Sequence, residues 1–293
     1  MAEHIIFLIH GIGDGTPGDD FEKFEQLLQD VYCQRNKCTN ADWKKKFKVQ
    51  GIVWDPATAD PETAIYSRSF GAVRPSDRSL VAETNPLLAA LNLPNTRAWR
   101  YFMTFFVGDA IAYVDEFDNG IRRRVWDQMA SVLKPDGTPN PPQFSIVGHS
   151  LGSVIAYDFV YALNSVPGKI FDLSPDPAKN IKLTAAQIAA LQKSFTNLIT
   201  LGSPIALFWM RRRDLWQNDF AGLKNPVQGV QRWLNFWDNE DVIAYPLRNF
   251  FADGHIEDIR IEDIRFDTSI MMPWAHTGYW KNKALADRVA EVL

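Results

Sequence analysis

The chain has 293 residues, 46% hydrophobic and 23% charged, with 17 Gly and 17 Pro, which excludes disordered, collagen-like and low-complexity architectures. A net charge of −4, with basic residues scattered in short clusters, provides no field to concentrate a polyanion, so nucleic acid is not an expected partner. The length allows one large domain with an insertion, and no repeat or linker divides it.

In chain order, Met1-Ala2-Glu3-His4 leads straight into the apolar run Ile5 to Ile9, without a basic n-region or a cleavage site, and reads as a mature first strand. Phe21, Phe24, Leu28 and Val31 then fall at helical spacing, with Asp19 and Glu22 placed to cap the start. Cys33 and Cys38 cannot frame a disulfide scaffold for a chain this long and suit no zinc site; a reducing compartment, the cytoplasm, is expected, and no metal. Lys48 to Trp54 is the second strand. About ninety residues separate it from the next, more than a crossover requires, so 55–142 is expected to be an insertion. Its first half, Asp55 to Thr96, has weak structural signal; its second predicts helices near Ala98 to Val114 and Gly120 to Leu133. The apolar stretch Trp99 to Val114 carries Arg100, Gly108 and Asp109 and falls short of the roughly 20 apolar residues of a bilayer span. Phe144 to Val147, Asn197 to Leu201, Trp233 to Trp237 and a segment around Ile259 to Phe266 are further strands. Thr184-Ala185-Ala186-Gln187 has the form of a capping box opening a helix before the fourth strand, and a terminal helix is expected from about Lys281 to Val292. Apolar runs alternating with helical segments predict an α/β fold with a mostly parallel sheet of about six strands flanked by helices.

Chemistry concentrates at Gly148-His149-Ser150-Leu151-Gly152, a G-x-S-x-G run between an apolar strand and an apolar helix. That context is a nucleophile elbow: Gly148 and Gly152 leave room for a tight turn that presents Ser150 Oγ at the carboxyl end of the sheet. A serine hydroxyl needs a base, and the base needs a carboxylate to orient it. In this architecture the order is serine, acid, histidine. Of the five histidines only His255 and His276 follow Ser150; His276, in a loop ahead of the terminal helix, is the favoured base and His255 the reserve. The acid is expected after Trp233 to Trp237, among Asp238, Glu240 and Asp241. Asp241 is favoured because Val242-Ile243 would anchor its loop, with Asp238 in reserve. The developing oxyanion needs backbone N–H donors. Leu151 N–H is one; the other is expected from His10-Gly11-Ile12-Gly13, Ile12 first and Gly11 second. Reading Gly11-Ile12-Gly13-Asp14-Gly15 as a phosphate loop fails, since it lacks G-x-G-x-x-G spacing and a following Lys-Ser/Thr.

With these residues placed, the sequence resembles an α/β-hydrolase-fold serine esterase or lipase over nearly its whole length. More narrowly it is similar to the DDHD-type, phosphatidic-acid-preferring phospholipase A1 group and related lipases. The resemblance rests on Val107 to Tyr113, Gly148 to Asp158, Leu201 to Phe208, Asp241 to Tyr245 and His276 through Tyr279-Trp280. It implies Ser150 as nucleophile, Asp241 as acid and His276 as base; the large flanking regions of the eukaryotic members are missing, so a compact, stand-alone catalytic domain is expected. Where that group has an Asp soon after the Tyr-Trp pair, Lys281-Asn282-Lys283-Ala284 intervene here before Asp287.

The expected reaction is hydrolysis of a carboxylic ester through an acyl-enzyme, with His276 taking the proton of Ser150 and no cofactor. A histidine base predicts a rate that falls as the imidazole takes up a proton. Thioesterase, amidase and acyltransferase chemistry would use the same machinery. The expected partner is a small-molecule or lipid ester; no residue pattern sets an oligomeric state. A helix over Trp99 to Val114 is a candidate cap, and Phe208 to Trp216, mixing aromatics with Arg211-Arg212-Arg213, a candidate for peripheral membrane contact. Arg122-Arg123-Arg124 reads as an exposed helical face. Two alternatives compete with the plain esterase: a phospholipase A1-like lipid hydrolase at membrane surfaces, and a non-catalytic scaffold that retains the fold.

Overall fold

Six runs rich in β-branched and aromatic residues form one sheet in the computed structural model of the chain, which describes residues 4–11, 18–54, 59–72, 96–114, 120–135, 140–165, 180–217, 223, 226–227, 231–251, 261–266 and 274–293. The strands are β1 (His4–Ile9), β2 (Phe47–Ile52), β3 (Gln143–His149), β4 (Phe195–Leu201), β5 (Arg232–Trp237) and β6 (Ile261–Arg265). Every pairing is parallel, in the order β2-β1-β3-β4-β5-β6, with Ile5 opposite Phe144 and Ile199 opposite Leu234. Parallel neighbours need crossovers, and the intervening helices supply them. They are α1 (Gly18–Asn36), α2 (Asn40–Lys46), α3 (Ala59–Phe70), α4 (Thr96–Val114), α5 (Gly120–Leu133), α6 (Leu151–Ser165), α7 (Ala185–Ser194), the short α8 (Ile205–Phe208), α9 (Arg213–Trp216) and α10 (Trp274–Thr277), and α11 (Lys283–Ala290).

β1 is an unbroken apolar run because both its faces are covered. On one face Ile6, Leu8, Val147, Ile199 and Leu234 join Phe24, Leu28 and Val31 of α1 and Leu285 and Val289 of α11 in a single core. On the other, Phe7 meets Phe144, and Phe144 meets Phe159 of α6. The chain leaves β1 toward β2 on one side and resumes at β3 on the other. Such a reversal opens a crevice at the carboxyl ends of the two central strands, where α/β sheets bind ligands.

The chain divides into two compact units. One comprises Met1–Gly11, Thr16–Val53 and Arg122–Leu293 and holds the sheet; the other comprises Ile12–Gly15 and Trp54–Ile121. The main segment of the second lies within the expected 55–142 insertion, and in it α3 packs against α4. Among the described residues no helix is long and apolar enough to cross a membrane.

The strands stand where hydrophobic patterning predicts them, within two residues at each end for the first five. Four differences are local. β2 ends at Ile52, short of Trp54. α2 and α3 were not expected, and α3 forms inside the stretch of weak signal. The terminal helix starts at Lys283, because Asn282 Oδ1 caps the N–H groups of Ala284 and Leu285, and a 3₁₀ turn over Tyr279–Lys281 precedes it. His276 lies in the single helical turn of α10 rather than in an irregular loop.

Candidate active site

β3 delivers Ser150 to the crevice. The turn into α6 is so sharp that Ser150 adopts φ 53, a left-handed backbone that a serine rarely takes and that marks stored strain. It is pinned on both sides: Ser150 N–H donates to the Leu201 carbonyl at the end of β4 (2.9 Å), and Ser153 N–H donates to the Ser150 carbonyl (3.0 Å). Ser153 Oγ reinforces the second contact at 2.5 Å and lies 2.7 Å from Ser203 Oγ. Gly148 and Gly152 make the turn possible. A Cβ on Gly148 would sit 2.6 Å from the Gly152 carbonyl oxygen, and one on Gly152 would overlap the carbonyls of Ile9 and His10. The Ser150 hydroxyl is buried, and Oγ has no hydrogen-bond partner among the described residues. A buried polar atom without a partner costs about 1–3 kcal/mol, a cost tolerated where a ligand or reaction uses the atom.

The loop after β1 closes in from the other central strand. Gly11 lies so near the elbow that a Cβ there would overlap Ser150 Cβ and stand 3.1 Å from Oγ, so only glycine lets this backbone approach. Leu151 is the first residue of α6, whose leading N–H groups have no intrahelical acceptor. Two backbone segments therefore flank Ser150. Ile12 falls outside the described residues, as does His255. His10, buried against Phe21, is pushed down to about 4 by burial, so its imidazole is neutral.

His276 and Asp241 arrive on the segments after β6 and β5. His276 Nδ1 is 2.8 Å from Asp241 Oδ2, both side chains being buried, which leaves Nε2 as the nitrogen that can serve a substrate or nucleophile. Burial alone would raise the Asp241 carboxyl, but the bonds to His276, the Tyr279 hydroxyl (3.0 Å) and the Ile243 N–H (3.3 Å) together hold it below the ordinary carboxylate value. Asp238 is fully buried and accepts the Glu240 N–H at 2.9 Å, closing the turn that presents Asp241. The turn itself is anchored by a polar residue in an apolar strand. Asn235 of β5 donates to the Tyr245 carbonyl (2.8 Å) and accepts from Thr200 Oγ1 (2.8 Å), while Tyr245 N–H reaches the Ser203 carbonyl (3.2 Å).

His149 links the elbow to the His276 segment. Its Nε2 donates to the His276 carbonyl at 2.7 Å, with the two rings 4.8 Å apart, and burial among these groups pushes its pKa down to about 3. Gly202, at φ 54, forms the floor beneath the dyad. A Cβ there would lie 2.8 Å from the Tyr279 ring, 2.9 Å from Asp241 Oδ2 and 3.2 Å from His276 Nδ1. Ser150, His276, Asp241, Gly11 and Leu151 are thus gathered at the carboxyl edge of the sheet.

Tyr279, Gly202 and Asn235 complete the site without having been given roles from the sequence. Tyr279 and Gly202 were only members of resembling motifs; Asn235, a polar residue at a buried strand position, carried a usable signal. Arg211 and Arg122 both bond Asp158, at 2.5 and 3.4 Å, and Arg212 grips Asp214 with two bonds, so these guanidiniums are taken up within the fold. Among the described residues no cluster of three or more His, Cys, Asp or Glu could hold a metal ion. Comparison of the chain with protein-family models finds no match, and comparison with curated proteins finds none either.

Proposed function

We propose that the chain is a serine carboxylic-ester hydrolase of the α/β-hydrolase type. The observation that carries this reading is Ser150: a strained residue on a strand-to-helix elbow, with a buried, unpartnered hydroxyl at the sheet's switch point, one residue from the His149 contact to the His276 segment. In the proposed reaction His276 Nε2 takes the Ser150 proton as Oγ attacks the ester carbonyl carbon. The tetrahedral oxyanion accepts from Leu151 N–H, with the Gly11 backbone on the other side of Ser150. His276 then protonates the leaving alcohol, and the C–O bond to it breaks. Water, deprotonated by the same nitrogen, attacks the acyl-enzyme and frees the acid and Ser150. Asp241 holds Nδ1–H throughout and stabilises the imidazolium. Every group this cycle needs comes from the chain or from water.

A specific observation favours a lipid ester as substrate, in keeping with the resemblance to DDHD-type phospholipases. Leu207 and Met210 after β4 and Val242 after β5 are 44%, 61% and 67% exposed on segments leaving the same sheet edge as Ser150. Large apolar side chains kept in water at the edge of a site suit contact with a lipid aggregate.

Hydrolysis of p-nitrophenyl esters from acetate to palmitate, by wild type and Ser150→Ala, tests the proposal, with a phospholipid vesicle assay alongside. Wild-type turnover that Ser150→Ala lowers by at least about 10³-fold is expected. Full activity in Ser150→Ala, or a folded wild type that hydrolyses no ester and is not labelled by a fluorophosphonate, overturns it and leaves the scaffold reading. Indifference to substrate aggregation removes the lipid reading alone.

A further inference from the structure

The chain's two cysteines flank the C-terminal end of α1, Cys33 inside it and Cys38 just beyond, and both are free. α1 stops at Asn36 because Lys37 adopts a left-handed backbone (φ 52), and the Cys38 N–H folds back onto the Cys33 carbonyl at 3.1 Å. This closure sets the residue two beyond the helix end over the residue one turn inside it and brings their side chains together. A disulfide needs α-carbons roughly 4.4–6.8 Å apart, and the backbone bond between Cys38 and Cys33 holds the two residues in close approach. The thiols follow the backbone. Cys33 Sγ points out of the helix toward the turn, donating to the Thr39 carbonyl at 3.3 Å, one residue beyond Cys38. The far side of the turn is fixed as well, by the Thr39–Asp42 capping box of α2. The sulfurs therefore sit between two anchored helix ends and need little movement to join.

We propose that Cys33 and Cys38 form a reversible dithiol–disulfide site whose oxidant is a small disulfide of the glutathione class. The two thiols are unequal. Burial, then the neighbouring Cys38 and the Asp42 and Asp30 carboxylates, push Cys33 up to about 11, whereas Cys38 is half-exposed and meets the oxidant first. The Cys38 thiolate attacks one sulfur of oxidised glutathione, the S–S bond breaks, and one glutathione thiolate leaves and takes up a proton. Cys33 then loses its proton to solvent, its sulfur attacks Cys38 Sγ, and the second glutathione thiolate is expelled and protonated. Two protein thiols are oxidised and one glutathione disulfide is reduced to two thiols. The new bond staples the α1–α2 corner, where Cys33 shares a core with Leu28, Val31 and Trp43.

The test treats the full chain with oxidised glutathione at mildly alkaline pH, alkylates the remaining thiols, and reads intact mass and peptide map. Expected are the loss of both alkylatable thiols, a mass lower by about 2 Da than the reduced chain, recovery with dithiothreitol, and no covalent dimer. Cys33→Ala should trap glutathione on Cys38, and Cys38→Ser should leave Cys33 unmodified; circular dichroism checks that both variants fold. A lasting glutathione adduct on wild-type Cys38, an intermolecular disulfide, or two thiols still alkylatable would overturn the proposal. None of these readouts depends on the hydrolase reading.

Discussion

At the residue scale, the proposed dyad is governed by what surrounds its carboxylate. Tyr279 donates to Asp241 Oδ2, the same oxygen that His276 Nδ1 addresses, so the hydroxyl draws off part of the negative charge that would stabilise an imidazolium. Tyr279→Phe is expected to lower kcat/KM less than tenfold with the fold intact, and a loss above about 100-fold would give the hydroxyl a larger part than sharing the carboxylate. Gly202→Ala is the harsher change. The backbone at φ 54 disfavours any Cβ, and this one would press on Tyr279, Asp241 and His276 together. We expect a loss of at least about 100-fold in kcat/KM, because an error of about 1 Å in the base is worth that much. A variant retaining near-wild-type kcat/KM would show that the floor yields. These two positions were not legible as site residues because nothing in Gly202 or Tyr279 says that chain segments about 40–80 residues apart converge on one carboxylate oxygen.

At the scale of elements, capping chemistry was the most transferable signal. Thr184 accepts the Gln187 N–H, and the Gln187 side chain accepts the Thr184 N–H at 2.8 Å, which opens α7 where the residues predict it. Thr184→Ala is expected to destabilise the fold by about 1 kcal/mol in urea unfolding and to leave ester hydrolysis unchanged, since α7 contributes nothing to the proposed site. The same device at Thr39 and Asp42 gives no helix signal by itself: α2 has only seven residues and its only buried side chain is Trp43, so no apolar period accompanies the cap. α6 is the opposite case, buried along almost its entire length, with a sequence apolar on all sides rather than on one stripe. Its closeness to β1 depends on Gly152. Gly152→Ala, with its Cβ overlapping two carbonyl oxygens, should destabilise by about 3 kcal/mol or more and reduce the folded yield; an unchanged urea midpoint would mean that α6 can slide outward.

Over the whole molecule, four of the described histidines are buried in the unit that carries the sheet, and burial holds three of them well below their ordinary value. His4, bonded to Ser145 Oγ at 2.9 Å, and His10 are held down to about 4 and His149 to about 3, in each case chiefly by burial. The unfolded chain takes up protons on these rings first, near their ordinary value of 6.5, while the folded chain resists until much lower pH. Stability is therefore full above about pH 6.5 and falls as pH drops toward 4, by on the order of 1.4 kcal/mol per pH unit for each ring. Urea midpoints measured from pH 7.5 to 4.5 should hold level down to about pH 6.5 and decline below it. Replacing His4 with Gln should flatten the slope by about one proton's worth, and an unchanged slope would remove His4 from the account.

The amino-acid sequence by itself determined the local facts: which runs are strands covered on both faces, that a tight turn stands between β3 and α6, and that an acid and a histidine follow in the right order. Those depend on short-range periodicity, on glycine at Gly148 and Gly152, and on the poor solvation of unbroken apolar runs such as Ile5 to Ile9. Only the tertiary structure decided that His276 pairs with Asp241, with Asp238 closing the turn beside them, that Gly11 reaches the elbow, and that Tyr279, Asn235 and Gly202 hold the pair. Apart from the Asp238 turn, each of those contacts joins segments brought together by the parallel sheet. Their partners are set by strand order and register, which no local pattern encodes.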